Sequence, residues 1–585
     1  IPATASAAMV FSFFVAVTLT PWLMMKFAAK AASTGEGHHE AIGGLGRVYM
    51  AIARPILQTR ARSLVFLLIV GVATMGSLAL FYTQHVTVKL LPFDNKTELQ
   101  VVVDLPEGSS VEETDRVLFA ISKRIADVEE ITSFQSYAGT AAPFNFNGLV
   151  RHYYLRNQPN LGDVQVNLQH QGDRDRTSHD IALDIRQRMV GLDIPAGTSI
   201  KVVEPPPGPP VMATLLAEIY GPDAETRRAV ATKVREAYNA VPFIVDVDDS
   251  FGVPAPRVRI SIDEDKLEFF RVEQGDVFQT IAAYFGGQTV GYSHRGEGRH
   301  PIPIRIALSK SDRVMDERAL STPVPANLLP GDRAIVELGD IVSFHEEETS
   351  YPIFRHNMMT AEMVTGELAG EFEAPIYGML AVAETIDAMD WGDLPKPVIR
   401  LNGQPDDESV PTLLWDGEWE VTWVTFRDMG AAFMVALVGI YILVVAQFGS
   451  FKVPLVILTP IPLTFIGIMI GHWLFHAPFT ATSMIGFIAL AGIIVRNSIL
   501  LVDFVRHSRA PDRQLIDVLL EAGAIRFKPI LLTALAAMIG AAVILTDPIF
   551  QGLAISLLFG LASSTALTVL VIPAIYILFR GPRSA

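Results

Sequence analysis

The chain of 585 residues contains no cysteine. No disulfide can staple any part of it, so every region must hold together by packing. Charge is scarce: 18% of residues are Asp, Glu, Lys or Arg, against roughly 25% in soluble globular proteins. What charge there is leans acidic, with 46 Lys and Arg against 62 Asp and Glu, a net of −16. That balance argues against nucleic acid as a partner. The sequence lacks a phosphate-binding loop, a dinucleotide fingerprint and a nucleophile constellation, so ATP is not a legible energy source and no cofactor or metal is assigned. Hydrophobic residues make up 50%, too many for a disordered chain.

Those apolar residues are concentrated. A helix needs about 20 of them to cross a bilayer core. Stretches of that kind run near Ala5–Met25, Ser63–Tyr82, Met429–Phe448, Val453–Trp473, Ser483–Val505, Pro529–Thr546 and Gly552–Phe579. A large polar tract, Thr83 to Asp428, separates the second from the third. In the short loops beside the spans, Lys and Arg fall on one side: Lys26, Lys30, Arg47, Arg54, Arg60, Arg62, Lys452, Arg506, Arg509, Arg513, Arg526, Lys528, Arg580 and Arg583. The alternate loops, His476–Thr480 and Asp547–Gln551, carry none. Basic loops face the cytoplasm, which predicts that the polar tract is exterior and the carboxyl end interior. Gly43–Gln58, apolar with scattered Arg, reads as an amphipathic helix in the cytoplasmic interface. The chain opens on Ile1 with no basic flank before the first span, and the expectation is that sequence precedes it.

The polar tract repeats one pattern. Thr97–Asp104 alternates as a strand does, and Ser110 with Glu113 is a capping-box pair that opens a helix to about Ala126. Ile131–Tyr137, Val164–Leu168 and Ser199–Glu204 read as strands, with a helix over Ser178–Met189. This is the element order of a split βαβ, or ferredoxin-like, unit. After the stiff linker Pro205–Pro210 the pattern restarts: strand Leu215–Tyr220, a helix capped by Asp223 through Ala240, and strands Ile244–Asp248 and Val258–Ile262. Asp263–Tyr351 interrupts this second unit, which returns with strand-like Arg355–Gly370 and helical Pro375–Met389. Two α+β sandwiches, one carrying an insertion, are expected.

Arg496 falls near the middle of the fifth span, where a charge costs at least about 2.5–3.5 kcal/mol. It is expected to face a bundle interior and a partner. Asp503 lies seven residues on, nearly on the same face, and Asn497 and Ser498 add polarity beside it. Arg526 and Thr533 are likewise seven apart in the sixth span.

GIIVRNSILLVDF around Arg496, Arg526–Thr533 (RFKPILLT), Phe448–Leu463, Thr18–Pro21 and LPEGSSVEET before the first exterior helix resemble the resistance–nodulation–division (RND) efflux permeases of the multidrug, acriflavin-resistance type. The resemblance covers nearly the whole chain in order. It implies an α-helical polytopic membrane bundle with ferredoxin-like exterior porter subdomains and an inserted docking subdomain. It further implies a proton-driven antiporter rather than an enzyme, sitting in the bacterial inner membrane as a homotrimer. A periplasmic membrane-fusion adaptor and an outer-membrane channel complete the assembly, and small hydrophobic or amphiphilic compounds are the substrates. On this basis the chain divides into a span at 1–30 and a cytoplasmic linker at 31–62. A second span follows at 63–83 and a first porter subdomain at 84–210. The second porter subdomain takes 211–262 and 352–428, docking takes 263–351, and a five-span bundle takes 429–585. Family members are about twice as long, so the chain resembles their last first-half span plus their second half.

Carried over position by position, Arg496, Asn497, Arg526 and Thr533, with Asp503, match the proton relay and its neighbours. The family's basic residue is usually Lys. Arg stays protonated at any working pH, so here it can sense a carboxylate's charge without itself releasing a proton. The accepting carboxylates are not found in this sequence.

Other groups are weaker candidates. Phe144, Phe146 and Tyr153–Tyr154 are candidates for a hydrophobic substrate path. Met358, Met359 and Met363 suit soft metals, but neighbours in a strand point to opposite faces, and packing is the plainer reading. Glu36, His38, His39 and Glu40 read as a solvated loop. Alternatives from other classes are a seven-span receptor with an exterior ligand domain and an RND-superfamily exporter of lipids or metals.

Overall fold

The computed structural model describes residues 2–28, 43–205, 208–296, 298–329, 332–370, 372–508 and 513–580. Helix α1 (Pro2–Leu23) is apolar along its length and buries nothing against the rest of the chain. Helix α2 (Gly44–Leu57) buries Gly46, Tyr49, Ala53 and Leu57, a stripe at helical spacing, while its other faces stay exposed. Helix α3 (Arg60–Tyr82) starts where the Thr59 hydroxyl accepts from the Arg62 amide at 3.2 Å.

The polar tract begins with β1 (Glu98–Asp104), α4 (Val111–Ile125), β2 (Ile131–Ala138), β3 (Leu161–Leu168), α5 (Ser178–Met189) and β4 (Ser199–Val203). Ser110 caps α4 through the Glu113 amide at 3.3 Å, but the Glu113 carboxylate turns to Arg116 instead of closing the expected box. Thr177 and Asp180 do form a reciprocal box at α5. The sheet runs β2-β3-β1-β4 and every pairing is antiparallel. Leu99, Val101, Val103 and Val164 on the strands meet Val117, Ile121, Ile181 and Ile185 on the helices in one core.

Part of the stiff linker expected at Pro205–Pro210 lies outside the described residues. A second unit follows it: β5 (Leu215–Tyr220), α6 (Ala224–Ala240), β6 (Ile244–Asp249), then, after an insertion, β7 (Glu362–Leu368), α7 (Pro375–Ala388), β8 (Val398–Arg400) and β9 (Thr412–Gly417). Its sheet runs β8-β9-β5-β7-β6. Without the short parallel edge strand β8, this is the first unit's order again: fourth, first, third, second. Strand β9 carries little signal in the sequence, because TLLWDG runs straight into the next membrane helix and has no turn after it.

One strand belongs elsewhere than expected. Val258–Ile262 lies in Pro256–Ile262, which pairs along its whole length with Val342–Glu348 and joins neither large sheet. The two strands form the stalk of the insertion. The insertion has its own small core of Val272, Val277, Val324, Leu338 and Ile341.

Helix α8 (Glu418–Phe448) leaves β9 through Gly417, whose φ is +71° and where a Cβ would sit 2.6 Å from the Ala213 carbonyl oxygen. The short helix Val453–Leu458 and then α9 (Pro460–Leu474), α10 (Ala481–His507), α11 (Leu515–Ala542) and α12 (Gln551–Arg580) complete the bundle. Helix α12 is the hub and packs on α3, α9, α10 and α11. Close approach is made possible by small residues: a Cβ on Gly467 would overlap the Phe559 carbonyl, and one on Gly486 would lie 2.8 Å from Ser556 Cβ. Among the described residues seven helices are long and apolar enough to cross a membrane, so the chain is a multi-pass membrane protein. The sixth differs from the expectation of Pro529–Thr546. It begins at Leu515, encloses Pro529 and ends at Ala542, because buried Leu515, Val518, Leu519 and Ala522 extend its apolar stripe ahead of Arg526.

Candidate functional site

The bundle and the two polar units each gather chemistry-bearing side chains. Helix α10 starts at a reciprocal cap, with Thr480 and Ser483 each accepting from the other's backbone amide at 3.3 and 3.0 Å. Further along the same helix, Arg496 lies on the outer face of the chain. It is exposed, and no hydrogen bond or ion pair joins it to a described residue. The expectation that it faces the interior of this bundle therefore fails. Asn497 and Ser498 take the inward positions instead, and Ser498 is fully buried. The reason is helical phase: the turn of about 100° per residue places the small polar residues on the buried face and turns the long cation away.

The other relay candidates do not gather round Arg496. Asp503 faces His507, with Oδ1 3.4 Å from Nδ1. Arg526 is half-buried on α11 with its guanidinium 5.2 Å from the centre of the Phe504 ring, a cation–π contact between α10 and α11. Thr533 is exposed, and its hydroxyl donates to the Ile530 carbonyl at 2.9 Å, within its own helix.

Between the two polar units lies a cleft of about 260 Å³. Strand β4 runs beside β6, and charged pairs stitch the join. Arg151 meets Glu367 at 2.7 Å, Arg186 meets Asp246 at 2.8 Å, and Lys201 bridges Asp104 at 3.2 Å and Asp248. Burial works against the Glu367 carboxylate, but Arg151 and the Thr214 hydroxyl outweigh it and hold its pKa below the usual carboxylate range. At Asp246 burial prevails over Arg186 and pushes the pKa up. Tyr153, Phe354 and Met363 supply the apolar part of the lining. Of the aromatic candidates Tyr153 alone reaches this cleft. Phe144 and Phe146 are exposed away from it, Phe144 lying 5.7 Å from the Tyr154 ring.

A second network sits below the cleft. His179 on α5 contacts Glu204 and Glu373, and Lys89 reaches Glu373 at 3.1 Å while lying 3.7 Å over the Phe93 ring. At the membrane boundary, Phe81, Tyr82, Tyr377, Leu380, Trp419, Trp423 and Phe426 line an apolar groove of about 500 Å³.

The methionines do not converge: Met363 is buried, as packing requires, whereas Met358 is 86% exposed and packs against nothing. Glu36, His38, His39 and Glu40 lie outside the described residues. One cluster escapes sequence reasoning altogether. Glu218, His356 and Asp416 bring potential ligand atoms within 4.8 Å of one another from three distant strands. Sequence spacing offers no signal for such a set.

Known proteins share this frame. The model of the AcrB/AcrD/AcrF family matches residues 1–580. The chain belongs to that family. Multidrug resistance protein MdtC of Yersinia enterocolitica is 22% identical over 599 residues, covering 99% of this chain and 54% of its own. Cobalt-zinc-cadmium resistance protein CzcA of Cupriavidus metallidurans is 25% identical over 373 residues, 63% of this chain and 33% of its own. The chain thus spans about half the length, or less, of these relatives. Among solved structures, a heavy metal efflux pump superposes with a TM-score of 0.73 at 20% identity, over 91% of this chain and 52% of that one. That likeness establishes the fold of an AcrB-family membrane protein. RND membership, expected from the motifs, is therefore shown, and a seven-span receptor is set aside.

Proposed function

We propose that the chain forms the relay-bearing part of a proton-coupled RND efflux antiporter that exports hydrophobic or amphiphilic compounds. The observation that carries the reading is Arg496, a cation in mid-membrane with no partner among the described residues. Such a charge is stable only if a carboxylate from outside these residues meets it. Protonation of that carboxylate weakens the pair and lets the helices shift, with Arg496 as the fixed charge and Asn497, Arg526 and Thr533 as its polar surroundings.

The two polar units are taken as porter subdomains of ferredoxin-like type, a reading supported by their shared antiparallel strand order, and the insertion as docking. The aromatic groove at the membrane boundary suits amphiphiles arriving from the bilayer, and the cleft above it suits their passage. The basic flanks favour an inner-membrane location with the porter in the periplasm. Assembly as a homotrimer with a periplasmic adaptor and an outer-membrane channel completes the proposal. Export of divalent cations is a second reading, favoured by the Glu218–His356–Asp416 cluster.

The test is dye efflux by the intact transporter in energised cells, with and without a protonophore. Efflux that collapses when the proton gradient is dissipated is expected. Efflux that survives would exclude proton coupling.

A further inference from the structure

On the face of the second polar unit opposite its helices, β5 and β9 carry two carboxylates, Glu218 and Asp416, in adjacent strands. A hairpin, Arg355–His356 paired with Met359–Thr360, hangs over them. Its turn residues Asn357 and Met358 both have positive φ, +44° and +72°, the geometry of a tight two-residue loop. The hairpin lowers His356 onto the sheet, with Nδ1 against Glu218 Oε1 and 3.8 Å from Asp416 Oδ2. We propose that Glu218, His356 and Asp416 together bind one divalent transition-metal cation of the zinc or cobalt class.

Charge is the first reason. Glu218 is fully buried and Asp416 largely so, and among the described residues neither pairs with a Lys or Arg. Two carboxylates share this desolvated place without a Lys or Arg beside them, and burying such groups without a balancing cation is costly. A divalent cation supplies that balance.

The second, independent observation is the state of the ligand atoms. Glu218 Oε1 and His356 Nδ1 are both buried, and neither has an aligned hydrogen-bond partner. They lie against each other, out of hydrogen-bond alignment, and converge on one point. Their outer atoms are held by a second set of groups. The Tyr220 hydroxyl donates to Glu218 Oε2 at 2.6 Å, and Gln404 donates both to the Tyr220 oxygen at 3.0 Å and to the His356 carbonyl at 2.9 Å. Orientation of ligands by such neighbours is typical of metal sites.

The donors select the metal. One imidazole and two carboxylates suit Zn²⁺, Co²⁺ or Ni²⁺, whereas Cu(I) prefers sulfur, which this set lacks, and Ca²⁺ or Mg²⁺ prefer oxygen alone. Three protein ligands leave a tetrahedral ion one open position.

The experiment is metal binding by the purified, untagged full chain in detergent. Zn²⁺ is titrated by calorimetry and Co²⁺ is followed by its visible absorption. One cation per chain is expected, bound at least tenfold more weakly by His356→Ala and by the isosteric Glu218→Gln, with circular dichroism unchanged. A His38→Ala/His39→Ala variant controls for the cytoplasmic-flank histidines and is expected to bind as the parent does. No stoichiometric binding by the parent would overturn the proposal. So would binding undiminished in both site variants, or binding lost only in the His38/His39 control. The readout is independent of transport, so failure here leaves proton-coupled efflux untouched.

Discussion

His179, on the first polar unit, contacts Glu204 of its own unit through Nδ1 and Glu373 of the second unit through Nε2, each at 2.7 Å. The ring stacks on Phe93 at 4.3 Å, and Lys89, which follows α3, joins at Glu373. A single imidazole thus ties two sheets and a membrane helix's exit together. Burial alone would lower its pKa, but the bonds to the two carboxylates prevail and push it up to about 9.

That value fixes a sign. The folded-state pKa lies above the unfolded 6.5, so the stabilisation is fully present below about pH 6.5 and is lost as pH rises through about 9. A tenfold gain in proton affinity is worth about 1.4 kcal/mol, so the contribution is a few kcal/mol at most. The unfolding temperature of the detergent-solubilised chain should fall between about pH 7 and about pH 9.5, and His179→Gln should flatten that fall. A variant with the parent's slope would refute the assignment.

Arg496→Ala in the intact transporter should abolish dye efflux while membrane insertion and protein level stay near normal. Arg496→Lys should retain part of the activity, since the charge survives but the planar fork does not. Thr533→Ala should cost less, because its hydroxyl bonds only to the Ile530 carbonyl of its own helix. Efflux normalised to membrane protein decides. An Ala variant with full efflux would reduce Arg496 to a structural residue.

Sidedness can be read with reporter fusions. A reporter active only in the periplasm should work after Gly221, in the second polar unit, and fail after Ser450, beside Lys452. The opposite pattern would invert the topology.

Gly467 should resist substitution. A Cβ there would overlap the Phe559 carbonyl on α12, which is backbone and cannot swing aside. Gly467→Val should lower the unfolding temperature and the yield of folded protein, through overpacking worth about 1–3 kcal/mol. Gly492→Ala on α10, where a Cβ meets nothing within 4 Å, should be silent by the same measure.

Local chemistry made much of the fold legible. Ser110 and Asp223 each begin a helix, as their side-chain oxygens require. The duplicated order of strands and helices could be read because each element has its own period. The assignment of Val258–Ile262 could not, because a strand's sequence says nothing about its partner, and this one pairs with Val342–Glu348, far along the chain. Arg496 stands out in the sequence as an anomaly, yet its direction does not. Helical phase, with Asn497 and Ser498 on the buried face, turned it outward.

The sequence by itself determined which segments cross the membrane, since backbone groups in hydrocarbon must bond within their own helix and apolar length alone suffices to mark them. It also determined the capped helix starts at Ser110 and Asp223 and the repeated unit, but not where the sixth span begins. Only the tertiary structure decided what meets across the chain. It brought His179 to Glu373, Lys201 to Asp248, and Glu218, His356 and Asp416 to one another. Such contacts arise from sheet order and hairpin placement, which join residues far apart in sequence, and no local spacing encodes them.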